Sequence, residues 1–210
     1  MLPVFEFWPA LTALAVLHLL AAMVPGPNTV VVSHLAAAQS RGAAFRAVAG
    51  VATATGTWVV VTLSGVAVVL HQAAGMFWLM RIAGALYLFY TGLRLLSALV
   101  RSSGADAAAG RAAVLAPYRL GLLTHLLNPK SGVFWVSVFA VAVPTGAPTG
   151  FYVAAVALIL VQTCLWYGLV ALVFASGPAR RLYRRAAKWL EGVAGLAMIG
   201  FGIKLAVAGR

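Results

Sequence analysis

Acidic residues and cysteine are scarce in this chain. Only three carboxylates, Glu6, Asp106 and Glu191, occur in 210 residues, and Cys164 is the single cysteine. One cysteine excludes an intramolecular disulfide, and its position inside an apolar run predicts a buried, inert thiol. The sequence has no His/Cys/Asp/Glu cluster with metal-ligand spacing, no Gly-x-Ser-x-Gly motif and no phosphate-binding loop. We therefore expect neither an enzyme nor a protein that holds a metal or another cofactor.

Hydrophobic residues, in contrast, make up 63% of the chain, charged residues only 9%, and the mean hydropathy is +1.01. A soluble domain of this size needs far less apolar sequence for its core, so we expect an integral protein of the lipid bilayer. Six segments approach or exceed the roughly 20 residues that cross a hydrocarbon layer of about 30 Å. They are about Phe5–Val24 (continuing to Gln39), Ala47–Leu70, Met76–Leu99, Leu120–Val143, Phe151–Ala175 and Leu190–Ala208. The sequence thus predicts an all-α membrane protein, a single domain over residues 1–210 with six transmembrane helices.

The basic residues indicate how these segments are oriented. Lys and Arg total 15, which gives a net charge of +12. Many of them lie in three links between segments: Arg41 and Arg46; Arg101, Arg111 and Arg119; Arg180, Arg181, Arg184, Arg185 and Lys188. Cytoplasmic loops carry such an excess, so both termini should lie outside the cytoplasmic (inner) membrane. Nucleic acid is not an expected partner, because phosphate binding needs an exposed basic face that these spans do not leave.

The third and sixth segments resemble each other. Trp78 to Ala85, leading to Gly92, matches Trp189 to Leu196, leading to Gly202. With three spans in each half, the second half enters the membrane from the opposite side. This predicts an inverted 3+3 repeat with halves of about 1–100 and 119–210 and a cytoplasmic linker of about 100–118. The alternative is a chance match between two Gly- and Ala-rich helices. In the second segment and its entrance, Gly42, Gly50, Gly56 and Gly65 predict close packing between helices at most of these positions.

Two segments are interrupted by proline, at Pro25-Gly26-Pro27 and at Asn128-Pro129. Inside hydrocarbon every backbone N–H and C=O needs a partner, so a proline break is tolerated only where protein or a water-lined cavity satisfies the freed groups. Two broken helices in matching halves are typical of a transporter with a central site. A channel or facilitator would use the same spans without energetic coupling.

These motifs together resemble the LysE/RhtB family of amino-acid exporters. The resemblance covers nearly the whole chain in order: Pro25-Gly26-Pro27-Asn28, Ser40-Arg41-Gly42, the helix from Gly50, Gly84 to Leu88 with Gly92, and Gly121 to Ser131. It implies an inner-membrane exporter that moves amino acids or close derivatives by proton antiport. Some relatives in the superfamily move divalent cations, so a cation exporter is an alternative. A homodimer also stays open.

A zwitterionic substrate suits a site between broken helices, because half-helix ends present partial charges of opposite sign. We expect the substrate site to comprise Pro25, Gly26, Pro27, Asn28, Asn128, Pro129, Lys130 and Gln162. Lys130 lies about ten residues, or ~15 Å, into its segment. Burying an ammonium at that depth costs free energy, so a lysine there is expected to have a function. Its alternative is a side chain that snorkels to the cytoplasmic surface. Trp166 and Tyr167, beside Gln162, are further candidates for the pocket wall.

Proton coupling needs a titratable group, and relatives of this family often carry an acid where this chain has Gln162. Four histidines remain: His18, His34, His71 and His125. His125, one turn before the second break, and His34, two turns after the first, are best placed and are the proton-coupling candidates. The alternative is that each is a hydrogen-bonded structural histidine.

Overall fold

The chain is all-helical over the residues that its computed structural model describes, which are 7–72, 74–98, 115–144, 147–174 and 177–207. Most of the predicted cytoplasmic linker, with Arg101, Asp106 and Arg111, lies outside these ranges, as does Glu6. Eight helices occur in them: α1 (Trp8–Met23), α2 (Pro27–Ala38), α3 (Arg41–Gln72), α4 (Ala74–Ala98), α5 (Pro117–Leu126), α6 (Pro129–Ala142), α7 (Thr149–Val173) and α8 (Gly177–Val207).

Several of these helices are suited to a membrane. Among the described residues, Arg41–Gly65 and Thr149–Val173 are single stretches long and apolar enough to cross it, and α1 with α2 meets the same criterion as one span bent by 56°. Outward-facing apolar side chains such as Val61, Leu86 and Leu165 are exposed, as a lipid-facing surface requires. These features describe a multi-pass membrane protein.

Two helices extend well beyond the apolar segments predicted from the sequence. Helix α3 begins at Arg41 rather than near Ala47, and α8 begins at Gly177 rather than near Leu190. Arg41 and Arg46, and the cluster from Arg180 to Lys188, which the sequence placed in links, are therefore helical. Hydropathy marks only the apolar part of a helix, whereas Ala, Arg, Lys and Leu sustain helical backbone into polar surroundings.

Proline sets both helix breaks. Val24 and Gly26, each directly before a proline, have extended backbone, with φ/ψ of −64°/130° and −155°/−179°. The proline ring disfavours helical geometry in the preceding residue, and so α1 ends at Met23. Pro27 then opens α2 and Pro129 opens α6, since the first helical position needs no N–H donor.

Glycines allow α3 and α5 to touch. A Cβ at Gly50 would collide with the carbonyl oxygen of Tyr118, and one at Gly121 would collide with the carbonyl oxygen of Ala47. The predicted close packing is therefore confirmed at Gly50. Gly65 does not take part in such packing, since a Cβ there would meet nothing within 4 Å.

Two apolar clusters form the interior, and a polar layer separates them. One cluster joins α1, α6 and the first half of α7 around Trp135; the other joins α2, α3 and the second half of α7 around Val51. Along α7, Ile159 belongs to the first cluster and Tyr167 to the second, with buried Thr163 between them. Cys164 is exposed, so the prediction of a buried thiol is wrong. The buried residues of α7 recur about every four positions and include Thr163, and Cys164, the next residue, therefore faces outward.

Candidate functional site

A cavity of about 120 Å³ lies in the polar layer, where the two helix breaks meet. That volume holds several water molecules or one small solute, since a single water needs roughly 10–15 Å³ by the same measure. The lining residues come from all eight helices and from both breaks: His18, Ala21, Ala22, Val24, Pro25, Gly26, Pro27, Asn28, Thr55, Thr91, His125, Asn128, Ser131, Phe134, Trp135, Tyr167 and Met198.

Helix ends of both signs face this cavity. The last turn of α1 and the first turn of α2 line it on one side, and the last turn of α5 and the first turn of α6 on the other. Helix α2 has no side-chain cap, and its first residue, Pro27, carries no N–H. Helix N-termini carry partial positive charge and helix C-termini partial negative charge, so this arrangement can bind an anion and a cation close together.

Asn28, in the first turn of α2, is 8% exposed and bonds across the cavity to the second half of the chain. Its Nδ2 donates to Nδ1 of His125 at 2.7 Å and lies 3.5 Å from the hydroxyl of Tyr167. Its other polar atom, Oδ1, is buried without a hydrogen-bond partner among the described residues. Oδ1 of Asn28 is thus a hydrogen-bond acceptor that is unfilled, and a ligand in the cavity could donate to it.

His125 offers the complementary group. Because its Nδ1 accepts from Asn28, the neutral ring carries its proton on Nε2. That Nε2 is buried and, within the described part of the chain, has no partner. The hydroxyl of Ser131 lies 3.5 Å from Nδ1. A buried donor and a buried acceptor, both unfilled, therefore line the same cavity, and such groups are costly unless a ligand or water satisfies them.

Gln162 does not line the cavity; it lies behind His18. Nδ1 of His18 is 3.0 Å from Oε1 of Gln162, and Nε2 of Gln162 donates to the carbonyl oxygen of Ala15 at 3.2 Å. The hydroxyl of Thr163 is 3.4 Å from Nε2 of His18. Trp135 covers the imidazole, with ring centroids 5.3 Å apart, and itself stacks on Phe139.

The structure brings together most of the site residues that the sequence predicted. Pro25, Gly26, Pro27, Asn28, Asn128 and His125 all line the cavity, and so does Tyr167. Trp166 is not among the lining residues, and His34 is exposed on α2. Pro129 and Lys130 open α6, but their side chains lie outside the described ones.

Sequence reasoning set aside His18, which the structure places in the cavity wall. One signal was available, because an ionisable residue inside an apolar span is a functional candidate by default. His18 lies seven residues, or two turns, before Pro25, and His34 lies seven residues after Pro27, so distance from the break does not separate the two histidines. The described residues contain no group of three or more His, Cys, Asp or Glu side chains that could hold a metal ion.

Comparison with known proteins agrees with a membrane transporter. The family model of the LysE type translocator matches residues 19–209. The threonine efflux protein of Escherichia coli (strain K12) is 34% identical over 197 residues, which cover 92% of this chain and 96% of that protein. The threonine efflux protein of Salmonella typhi is 33% identical with the same coverage. An uncharacterized membrane protein of Pseudomonas aeruginosa is 35% identical over 215 residues, covering 99% of this chain and 97% of its own.

No solved structure matches the chain. The family model spans nearly all of the sequence, and it includes both helix breaks and every residue described around the cavity from Ala21 to Met198. The chain belongs to the family of LysE type translocators.

Proposed function

We propose that this protein is a secondary transporter that exports amino acids or close derivatives across the cytoplasmic membrane by proton antiport. The observation that carries the proposal is the pair of unfilled groups in the cavity, Oδ1 of Asn28 and Nε2 of His125, between helix ends of opposite sign. The threonine efflux proteins that resemble this chain support an amino acid as the substrate.

A zwitterion fits these groups in one orientation. Its ammonium would donate to Oδ1 of Asn28 and meet the partial negative charge at the C-termini of α1 and α5. Its carboxylate would accept from Nε2–H of His125 and meet the N-termini of α2 and α6. Asn128 borders the same space, and Lys130 in the first turn of α6 is proposed to bind the carboxylate as well.

The breaks at Pro25-Gly26-Pro27 and Asn128-Pro129 belong to the proposed site because they free the backbone groups that a substrate would contact. Gln162 is proposed to act through His18, whose ring it bonds. Of the two proton candidates from the sequence, His125 is the one that a substrate would meet, because His34 is exposed away from the cavity.

An inverted repeat would let the two halves alternate around this site. Contacts between α4 and α8 support it. A Cβ at Gly92 would lie 2.6 Å from the carbonyl oxygen of Gly195, and one at Gly202 would lie 2.8 Å from that of Ala85. In the sequence repeat Gly92 corresponds to Gly202, and Gly84 corresponds to Gly195. The equivalent of the contact between Gly92 and Gly195 is therefore one between Gly202 and Gly84. The contact in the structure, between Gly202 and Ala85, differs from it by one residue.

Six spans would place both termini outside the inner membrane, with the basic halves of α3 and α8 towards the cytoplasm. Epitope tags on each terminus test this orientation. Antibody should reach both tags on spheroplasts whose inner membrane is intact. A C-terminal tag that is reached only after permeabilisation contradicts the six-span topology.

Proteoliposomes test the function directly. Purified protein is reconstituted, and fluxes are measured for a panel of labelled amino acids with and without an imposed pH gradient, beside protein-free liposomes. We expect exchange of at least one amino acid and faster transport with the gradient. Exchange without any response to the gradient would identify an uncoupled facilitator. Flux of divalent cations and no flux of amino acids would identify a cation exporter.

A further inference from the structure

His18 is a cavity histidine that the proposed substrate contacts leave unused. It lies on α1, lines the cavity and is 6% exposed. Two consecutive residues of α7, Gln162 and Thr163, face its two ring nitrogens. A buried imidazole held at both nitrogens is arranged differently from His125, whose Nε2 has no partner in the described part of the chain.

The oxygen facing Nδ1 can only accept a hydrogen bond. The amide of Gln162 is oriented by its Nε2, which donates to the carbonyl oxygen of Ala15 at 3.2 Å. This directs Oε1 towards Nδ1 of His18 at 3.0 Å. Because Oε1 has no hydrogen, Nδ1 must carry one. The state of the second nitrogen, Nε2, therefore decides the charge of the ring.

The hydroxyl facing Nε2 can serve either state. In the present arrangement Thr163 donates to the carbonyl oxygen of Ile159 at 2.8 Å, and its oxygen is 3.4 Å from Nε2 of His18. That arrangement satisfies an imidazolium, whose Nε2–H donates to the hydroxyl oxygen. If the ring is neutral, rotation of the hydroxyl lets it donate to Nε2 instead. Both charge states of His18 are thus satisfied without movement of the backbone.

An aromatic ring completes the surroundings of His18. Trp135 lies with its ring centroid 5.3 Å from that of His18 and an angle of 33° between the planes. A cation within about 6 Å of a tryptophan ring is stabilised by it, and more strongly when water is excluded. Two oxygens and one indole therefore stabilise the protonated form of His18 at this buried position.

We propose that His18 is the proton carrier of the transport cycle and that Gln162 and Thr163 are positioning residues for it. The inference rests on the proposed function. A proton from outside binds to Nε2 of His18 and leaves from the same atom to the cytoplasm, while one substrate molecule moves outward. No other bond forms or breaks. The imidazolium and the substrate ammonium repel each other within one small cavity, and mutually exclusive occupancy of this kind produces antiport.

Other ionisable groups surround this position. His125 of α5 and Tyr167 of α7 share the cavity with His18. Helix α8 packs on α1 and carries the buried Glu191 two turns before the cavity-lining Met198. Lys130 lies in the first turn of α6. The pH dependence of transport will contain contributions from these groups, and so the test changes the partners of His18 as well as His18 itself.

The test compares gradient-driven transport with exchange at equal pH, in proteoliposomes and at matched protein content. In His18→Gln, the ratio of the two rates should fall to about one, whatever the absolute rate. In Thr163→Val, the pH midpoint of exchange should move to lower pH by up to about one unit, because the hydrogen bond that the Thr163 hydroxyl accepts from the imidazolium is stronger than the one that it donates to the neutral ring. Thr163→Ser keeps the hydroxyl and should retain the parental midpoint.

Gln162→Glu changes the midpoint in the opposite direction, towards higher pH, because a carboxylate beside Nδ1 favours the charged ring. Parental stimulation by the gradient in His18→Gln, or one midpoint shared by Thr163→Val and Thr163→Ser, overturns the inference. If His18→Gln fails to insert, the Thr163 pair decides. Parental stimulation by the gradient in His18→Gln thus overturns the inference alone. A parent protein that exchanges amino acids without responding to pH overturns the antiport part of the proposed function as well, and a parent that exchanges none overturns the proposed function entirely.

Discussion

The two helix breaks meet at one cavity but build it from different parts. At the first break, three residues separate α1 from α2, the chain bends by 56°, and residues 24–28 all line the cavity. At the second break, only Leu127 and Asn128 separate α5 from α6, and Leu127 is exposed. The cavity there is lined by Asn128 and by side chains of the flanking turns, His125 and Ser131.

The number of prolines explains this difference. Two prolines around Gly26 force two extended residues, Val24 and Gly26, and so free a longer stretch of backbone. One proline at the second break leaves Leu127 bonded to Leu123 and Asn128 to His125, close to helical continuity. The first break therefore contributes mainly backbone and one amide, whereas the second contributes side chains. Equal substitutions at the two breaks should have unequal effects.

Asn28→Leu should have the largest effect. It removes the unfilled acceptor Oδ1 and also the donor to Nδ1 of His125, so two groups of the site are lost together. Loss of one hydrogen bond to a charged ligand weakens binding by roughly 10- to 150-fold. Because this variant loses two groups, we expect no measurable exchange in proteoliposomes.

His34→Leu is the matched control for this variant, because His34 lies on the exposed face of the same helix. It should insert and transport nearly as the parent chain does. Normal exchange by Asn28→Leu at equal membrane abundance would remove Asn28 from the site and with it the main contribution of the first break.

Lys130→Met should have the next largest effect. An ammonium at the centre of a spanning helix is disfavoured by about 2.5–3.5 kcal/mol on insertion scales, so keeping one implies a compensating partner. If that partner is the substrate carboxylate, the methionine variant should insert at least as well as the parent chain but bind substrate at least about tenfold more weakly. Membrane abundance and the concentration dependence of exchange measure the two effects separately.

Lys130→Arg and Lys130→Gln distinguish this role from a side chain that reaches the cytoplasmic surface. A longer cation or a neutral polar group serves equally well at an interface, so both would then transport nearly normally. Near-normal transport by all three Lys130 variants would exclude Lys130 from the site. The second break would then act through His125 and Asn128 alone.

Asn128→Leu should have a smaller effect than Asn28→Leu. Asn128 lines the cavity from a break that keeps most of its helical hydrogen bonds, and the pair between Asn28 and His125 stays intact. We expect exchange to fall by about tenfold, the cost of one hydrogen bond to the ligand. A loss as complete as that of Asn28→Leu would mean that the two breaks contribute equally.

The breaks could be predicted from the sequence because their cause is local. A proline restricts the residue before it wherever it occurs in the chain, and Val24 and Gly26 are extended as this rule requires. The buried stripe of α7 is also local, since residues at four-residue spacing share a face. The helical starts of α3 and α8 were missed because hydropathy detects lipid contact rather than helical backbone.

The pairs that give the site its chemistry could not be predicted, because they join distant parts of the chain. Asn28 meets His125 across 97 positions, and His18 meets Gln162 across 144. Which histidine enters the cavity depends on the rotation of each helix about its axis. His34 follows Pro27 by two turns, but it lies on the exposed side of α2, whereas Asn28 lies on the buried side.

His34→Gln should therefore have the smallest effect. His125→Gln, which changes a histidine that lines the cavity, is the variant to compare it with. An exposed substitution away from the site changes free energies by no more than about 0.5 kcal/mol, which corresponds to about twofold in rate. His125→Gln removes the cavity donor Nε2 and the acceptor of the Asn28 amide, so exchange should fall by at least about tenfold. Exchange and stimulation by a pH gradient are measured for both single variants and for the double variant. The double variant should behave as His125→Gln does; a further loss when His34 is also changed would show that the exposed face of α2 takes part in transport.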